Sequence, residues 1–449
     1  MNEAKSKVAD PVASYRIPAN NTWAHAWKMA AGLGVIGAVI GAFGYTIDPR
    51  RFAFAYLTGF VTVLTMGLGS IFFVLIQHLT GAGWSVTVRR TSEFFAYGML
   101  IVPLLALPNL LSKDELWPWW HHGETSVAHA QEHGDHAGHG HAAPHGAPAH
   151  GAAAHDAEHH SPEHALHAEI LASKDWYLNT GFFYLRALLC IGIWLWLAAR
   201  LFGYSTAQDK TGDPKWTVKL QRFSPGATFL FAISLTVAHV DWVMGLQPGW
   251  FSTMFGVRVF GASAVLGLAL NILLGLGLRR SGVVKNEISV EHFHDLGKLM
   301  FGFLVFWAYV SFSEFFLIWY AAIPEETGYY HLRWDDPSWR MVSIAIVVSK
   351  FILPFWLVMS RNAKRNFGLI GLGAGWIAVM HLVEIYYWVM PYYSEGSVPF
   401  SATGIATDVG CMFACVGFYL AFVFRRMLQH PVIPVRDPRL SRALHFVNA

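Results

Sequence analysis

Glu314, Lys350, His381 and Glu384 stand inside apolar runs long enough to cross a membrane. A charge there costs roughly 2.5–3.5 kcal/mol on insertion scales, so such residues usually face a bundle interior or a wet cavity. Glu and His carry and release protons, and a desolvated Lys can lose its own. His381 and Glu384 are three apart and share one helix face, which Tyr387 and Trp388 continue. Glu314, Lys350 and Glu384 belong to three different runs. That composition suits a buried proton relay. The same residues also suit a structural ion pair, with one carboxylate bridged by Lys350 to fix helix packing.

Other ionisable residues extend the series. His78 ends the second run and Glu93 opens the third; a short loop joins these runs, so the two are expected as neighbours at an inner mouth. Arg186, His239, Asp241, Arg258 and Asp408 lie toward the opposite side, and His239, Asp241 and Asp408 are expected at the outer exit. His239 and Asp241, two apart, point in different directions. They can share a partner only if that helix end is irregular, which Gly245 and Pro248 allow. Arg186, His239 and Asp241, beside Trp242 and Trp250, could supply a quinone site, although aromatics at that level more often form an interfacial belt. His78, His239 and His381 are single and at different depths, which argues against a transmembrane haem. Cys190, Cys411 and Cys415 offer no haem-attachment or iron–sulfur spacing. No catalytic residue and no metal site is assigned.

The elements that must hold these residues follow from composition. The chain has 449 residues, 54% hydrophobic and only 14% charged, and repeats apolar runs of about 20 residues. The expected fold is all-α integral membrane: about ten transmembrane helices, as two four-helix bundles plus flanking helices. The spans are placed at 26–46, 53–79, 90–111, 177–202, 226–246, 251–278, 296–322, 340–360, 367–391 and 403–426. Most of the 32 lysines and arginines fall on one set of loops, which predicts cytoplasmic termini. His292, His294, Asp295 and Lys298 are expected at that hydrated edge. Segment 1–25 then reads as a cytoplasmic N-terminus without a cleaved signal peptide, 26–111 as helices one to three, and 176–427 as helices four to ten. Residues 428–449 read as a cytoplasmic tail.

Between them, 112–175 is a periplasmic loop holding most of the 23 histidines. Its centre, 121–167, could buffer divalent metal or sense pH. With no fixed ligand spacing, a solvated loop without a defined site is the simpler expectation. A short internal match, Ser92-Glu93-Phe94-Phe95 against Ser313-Glu314-Phe315-Phe316, suggests that spans two to five and six to nine are related bundles.

One stretch is familiar. His294-Asp295-Leu296-Gly297-Lys298-Leu299, Phe306-Trp307-Ala308-Tyr309, Phe316-Leu317-Ile318-Trp319-Tyr320-Ala321 and Ile323-Pro324-Glu325-Glu326 resemble the quinone-type membrane subunits of bacterial alternative complex III. Asp241-Trp242-Val243-Met244 and Trp250-Phe251-Ser252-Thr253 fit as well. The wider group is the polysulfide-reductase (NrfD) membrane-subunit family. Length, flanking helices and the large outer loop look more like the second, ActF-like, of the two such subunits. The resemblance implies a bacterial inner-membrane subunit that supports quinol oxidation, with proton translocation as a further expectation. It implies menaquinone or ubiquinone as the cofactor class, with nothing covalently bound and with haem and iron–sulfur centres only in partner subunits. The implied partners are a homologous quinone-type subunit, an iron–sulfur protein, c-type cytochromes, small membrane subunits and lipids, with no nucleic acid. Two other expectations use the same residues: a stand-alone proton-coupled transporter and a purely structural membrane anchor.

Overall fold

The computed structural model describes residues 15–117, 119, 172–394 and 396–447. It has ten helical spans long and apolar enough to cross a membrane: α1 (Trp23–Ile47), α2 (Pro49–Leu79), α3 (Val86–Leu111), α4 (Thr180–Thr211), α5 (Lys215–Leu246), α6 (Phe255–Arg280), α7 (Val290–Ala321), α8 (Pro337–Met359), α9 (Phe367–Ser394) and α10 (Ala402–Met427). No strand occurs among the described residues. The chain is an all-α, multi-pass membrane protein, as expected. Ten crossings put both described ends on one face, the terminal face, and residues 112–117 on the other, the loop face.

Local chemistry sets the ends. Asp48 accepts the backbone N–H of Arg51 at 2.8 Å, and Pro49 occupies the first turn of α2, where its missing N–H costs nothing. Asn179 caps α4 in the same way, and Gly212, at φ +70°, ends it. A left-handed residue at a helix C-terminus is a position glycine fills without strain.

Helices α2–α5 pack as one bundle and α6–α9 as a second, while α1 and α10 pair along the flank. The most buried spans are α2 and α6, one from each bundle. They cross at Gly69 and Gly267; a Cβ built on Gly69 would stand 1.8 Å from the Ser263 carbonyl oxygen. Helices α7 and α8 keep most of their surface outward, including Phe312, Trp319, Tyr320 and Trp356.

Several expectations change here. Trp242 and Trp250 are buried and belong to no interfacial belt: Trp242 packs on Phe60 at 5.7 Å, and Trp250 stacks on Tyr329 at 4.2 Å. His292 and His294 are buried too, and His292 completes a capping box with Ser289 at the start of α7. The segment that follows α10 is tied to the rest of the fold. Val432 and Ile433 are buried, and the Val432 N–H donates to the Tyr15 carbonyl at 2.9 Å. The tetrapeptide match is not a structural equivalence. Glu93 lies two turns into α3 at the terminal face, whereas Glu314 lies seven residues from the loop-face end of α7, about 10 Å at 1.5 Å per residue. The His-rich centre 121–167 falls outside the described residues.

Candidate functional site

Halfway along their helices, Lys350 of α8 and Glu384 and His381 of α9 meet. All three are buried. Lys350 Nζ forms an ion pair with Glu384 Oε2. His381 Nδ1 is 3.4 Å from Nζ and 3.5 Å from the same carboxylate oxygen. Trp307 of α7 donates its indole N–H to Glu384 Oε1 at 2.7 Å, and its ring lies 4.4 Å from the Lys350 ammonium. On the far side of the imidazole, His381 Nε2 is 2.8 Å from Thr65 Oγ1 of α2. The Thr65 hydroxyl already donates to the Thr62 carbonyl at 2.8 Å. This pattern assigns the proton of His381 to Nε2 and leaves the Nδ1 lone pair facing Lys350.

The backbone of α8 is adapted to that lysine. Val347–Ile352 forms a π-helical turn with Lys350 inside it. Pro354 has no N–H for the Lys350 carbonyl four residues earlier, so the regular ladder cannot run through this point. Such turns widen the helix locally and recur at functional sites.

The other expected members of the relay lie elsewhere. Glu314 does not pair with Lys350. It binds Arg258 of α6 at 2.7 Å and accepts the Ser252 hydroxyl at 2.6 Å. Arg258 also donates to the Tyr329 hydroxyl at 2.8 Å and packs against the rings of Phe255 and Trp388. Trp388 stands one turn beyond Glu384 on α9, so the two charged centres are adjacent along that helix. Asp241 binds Arg186 at 2.7 Å and accepts the Tyr177 hydroxyl at 2.8 Å. His239 does not share that partner; its Nδ1 meets the Leu235 carbonyl at 2.8 Å, and Nε2 has no hydrogen-bond partner among the described residues. Both sit in the regular part of α5, which runs unbroken to Trp242. Asp408 is clamped by Arg51, at 2.7 and 3.2 Å, on the flank.

At the terminal face, His78 and Glu93 are not hydrogen-bonded to each other. Glu93 lies between Arg89 and Arg90, at 2.9 and 3.1 Å. Arg89 reaches Asp437 of the C-terminal segment at 2.9 Å, and Arg90 reaches Asp209 at 2.6 Å. His78 is buried, and neither ring nitrogen has a hydrogen-bond partner among the described residues. Burial acts first to raise the Asp437 carboxyl, but Arg89 and Arg439 outweigh it and hold the group well below the usual range.

A cavity of about 330 Å³ lies among α2–α5, with Phe60, Trp117, Tyr184 and Trp242 in its wall; Arg186, His239 and Asp241 are not part of that wall. The wall includes Asn109, buried with both amide atoms unpartnered among the described residues, and Trp117, whose N–H is likewise unpartnered there. Sequence reasoning missed Thr65, Trp307, Arg258 and Asn109 as site residues. Only the spacing Thr58, Thr62, Thr65 marked a polar stripe on α2 that could have pointed to the first. No family model and no curated protein matches this chain.

Proposed function

We propose that this chain is an integral subunit of a membrane-bound quinol:acceptor oxidoreductase of the alternative complex III type, and that it carries protons through Lys350, His381 and Glu384. The oxidoreductase half rests on the resemblance of residues 294–326. The proton half rests on one observation: three titratable side chains, all buried, meet within 3.5 Å halfway along the spans. A proton there has three resting places, Lys350 Nζ, His381 Nδ1 and the Glu384 carboxylate. Trp307 and Thr65 hold the carboxylate and imidazole in orientation. The setting on this reading is a bacterial inner membrane with both ends cytoplasmic. The partners are a homologous membrane subunit, an iron–sulfur protein and c-type cytochromes.

A quinone brought by this assembly supplies two-electron, two-proton redox chemistry. Where this chain holds the headgroup, Asn109 and the Trp117 N–H are a donor set that fits; Arg186 is already paired with Asp241 and keeps only its Nη2 without a partner among the described residues. A stand-alone transporter has less support. The break in α8 has no counterpart in α4, the corresponding helix of the first bundle, which is unbroken from Thr180 to Thr211.

Purification and one variant test the proposal. The chain should co-purify with haem and iron–sulfur proteins. In vesicles holding the intact complex, Glu384→Gln should lower the protons moved per electron while quinol oxidation continues. An unchanged ratio rejects the proton role and leaves an anchor; purification of the chain alone rejects the complex.

A further inference from the structure

A second cavity, about 390 Å³, opens at the terminal-face end of the seam between the bundles, among α2, α6 and α7. That volume lies in the range of small-molecule sites. Its wall is ordered by depth. Leu268, Phe72 and Phe303 lie deepest, and Leu299 follows. Lys298 comes next, eight residues into α7. Asp295, one turn nearer the face, and Gln77, at the end of α2, complete the polar end of the wall, and Thr80, Ala82 and Trp84 beyond α2 form its rim. Lys298 and Asp295 bridge each other at 2.5 Å, with the lysine side chain half exposed and the carboxylate largely buried. Gln77 is 4% exposed, and its side-chain carbonyl has no hydrogen-bond partner among the described residues. A buried acceptor without a donor is costly.

We propose that this cavity binds an aminophospholipid, a phosphatidylethanolamine-type lipid, as a wedge between the two bundles. The wall offers that molecule an apolar depth and, toward the face, one cation and two acceptors side by side. An acyl chain lies among Leu268, Phe72, Phe303 and Leu299. The phosphate, next along the molecule, meets the Lys298 ammonium. The primary ammonium, last, has N–H donors for the Gln77 carbonyl and the Asp295 carboxylate. The bound zwitterion exchanges with the Lys298–Asp295 bridge, one charge for each partner, so no net charge is buried. A quaternary ammonium headgroup carries the same charge but has no N–H to give.

The test uses the full chain, or the complex that contains it. Native mass spectrometry in detergent, after exchange into mixed lipid of equal phosphatidylethanolamine, phosphatidylcholine and phosphatidylglycerol content, reads the retained headgroup. One phosphatidylethanolamine per chain should remain, preferred over phosphatidylcholine by about tenfold, the scale of one hydrogen bond to a charged group. Asp295→Asn should remove most of that preference, while Lys298→Met should weaken both lipids alike. Headgroup-blind retention, a retained quinone in place of phospholipid, or an Asp295→Asn variant that keeps the full preference would overturn the proposal.

Discussion

Trp307 gives its indole N–H to Glu384 Oε1 at 2.7 Å, the carboxylate oxygen that Lys350 leaves open. One side chain of α7 thus completes the charge pair between α8 and α9 and covers the ammonium with its ring. Trp307→Phe keeps an aromatic ring but removes the donor and the second ring of the indole. The expected loss is at least about 1.5–3 kcal/mol, the range for a hydrogen bond to a charged group, with the cavity left by the smaller ring added to it. Unfolding in detergent measures it, and wild-type stability in this variant would show that the indole N–H contributes nothing.

Removing one member of the Lys350–Glu384 pair should cost more. Glu384→Met leaves a buried ammonium without its anion, at roughly 3–5 kcal/mol. The double variant Lys350→Met, Glu384→Met removes both charges and should recover most of that loss. Additive losses in the double-mutant cycle would mean that the two side chains do not interact.

The ten spans were legible because length and apolarity alone specify a crossing. The His381–Glu384 face was legible too, because three-residue spacing on a helix is local geometry. What each face meets was not legible. Arg258 and Glu314 are joined across two helices, and nothing in either run marks the other. Depth also misled. Glu314 sits in an unbroken apolar run, and only the end of α7 shows that it lies near the loop face. Trp242 and Trp250 carry the composition of a belt but are core, because the first bundle and the helix Pro324–Trp334 close over them.

The flank predicts a sharp glycine requirement. A Cβ on Gly37 of α1 would stand 2.4 Å from the Ala414 N and 2.5 Å from the Gly410 O of α10, backbone atoms that cannot turn aside. Gly32, on the same helix, has nothing within 4 Å. Gly37→Ala should separate α1 from α10 and cost about 1–3 kcal/mol, as overpacking does. Gly32→Ala should be neutral or slightly stabilising. Equal melting temperatures for the two variants would reject close packing here.

The terminal face predicts a pH dependence. Burial pushes His430 down to about 4, helped by Arg426, Arg90, Lys210 and Arg16. The unfolded chain therefore binds this proton more readily than the folded one. Stability from His430 is complete above its ordinary value of 6.5 and falls as pH drops from there toward 4. Asp437, held low by Arg89 and Arg439, stabilises the fold above its ordinary value of 3.8 and is not the source of that loss. His430→Gln should flatten the decline in melting temperature between pH 6.5 and 4. A decline unchanged by the substitution would assign it elsewhere.

Glu314 and Glu384 are both buried carboxylates, but their partners differ in kind. Arg258 keeps its charge at any accessible pH, because a guanidinium does not deprotonate in proteins. Glu314 is therefore a fixed counter-ion, held also by Ser252. Lys350 can give up its proton when desolvated, so Glu384 faces a group that can exchange. Glu314→Gln should consequently destabilise the protein by roughly 3–5 kcal/mol, as an orphaned buried cation does, and leave protons moved per electron at the wild-type ratio in whatever complex still assembles. Glu384→Gln should lower that ratio. Vesicle measurements on both variants, normalised to assembled complex, separate the roles; a lowered ratio in Glu314→Gln would place the Arg258 centre on the proton path as well.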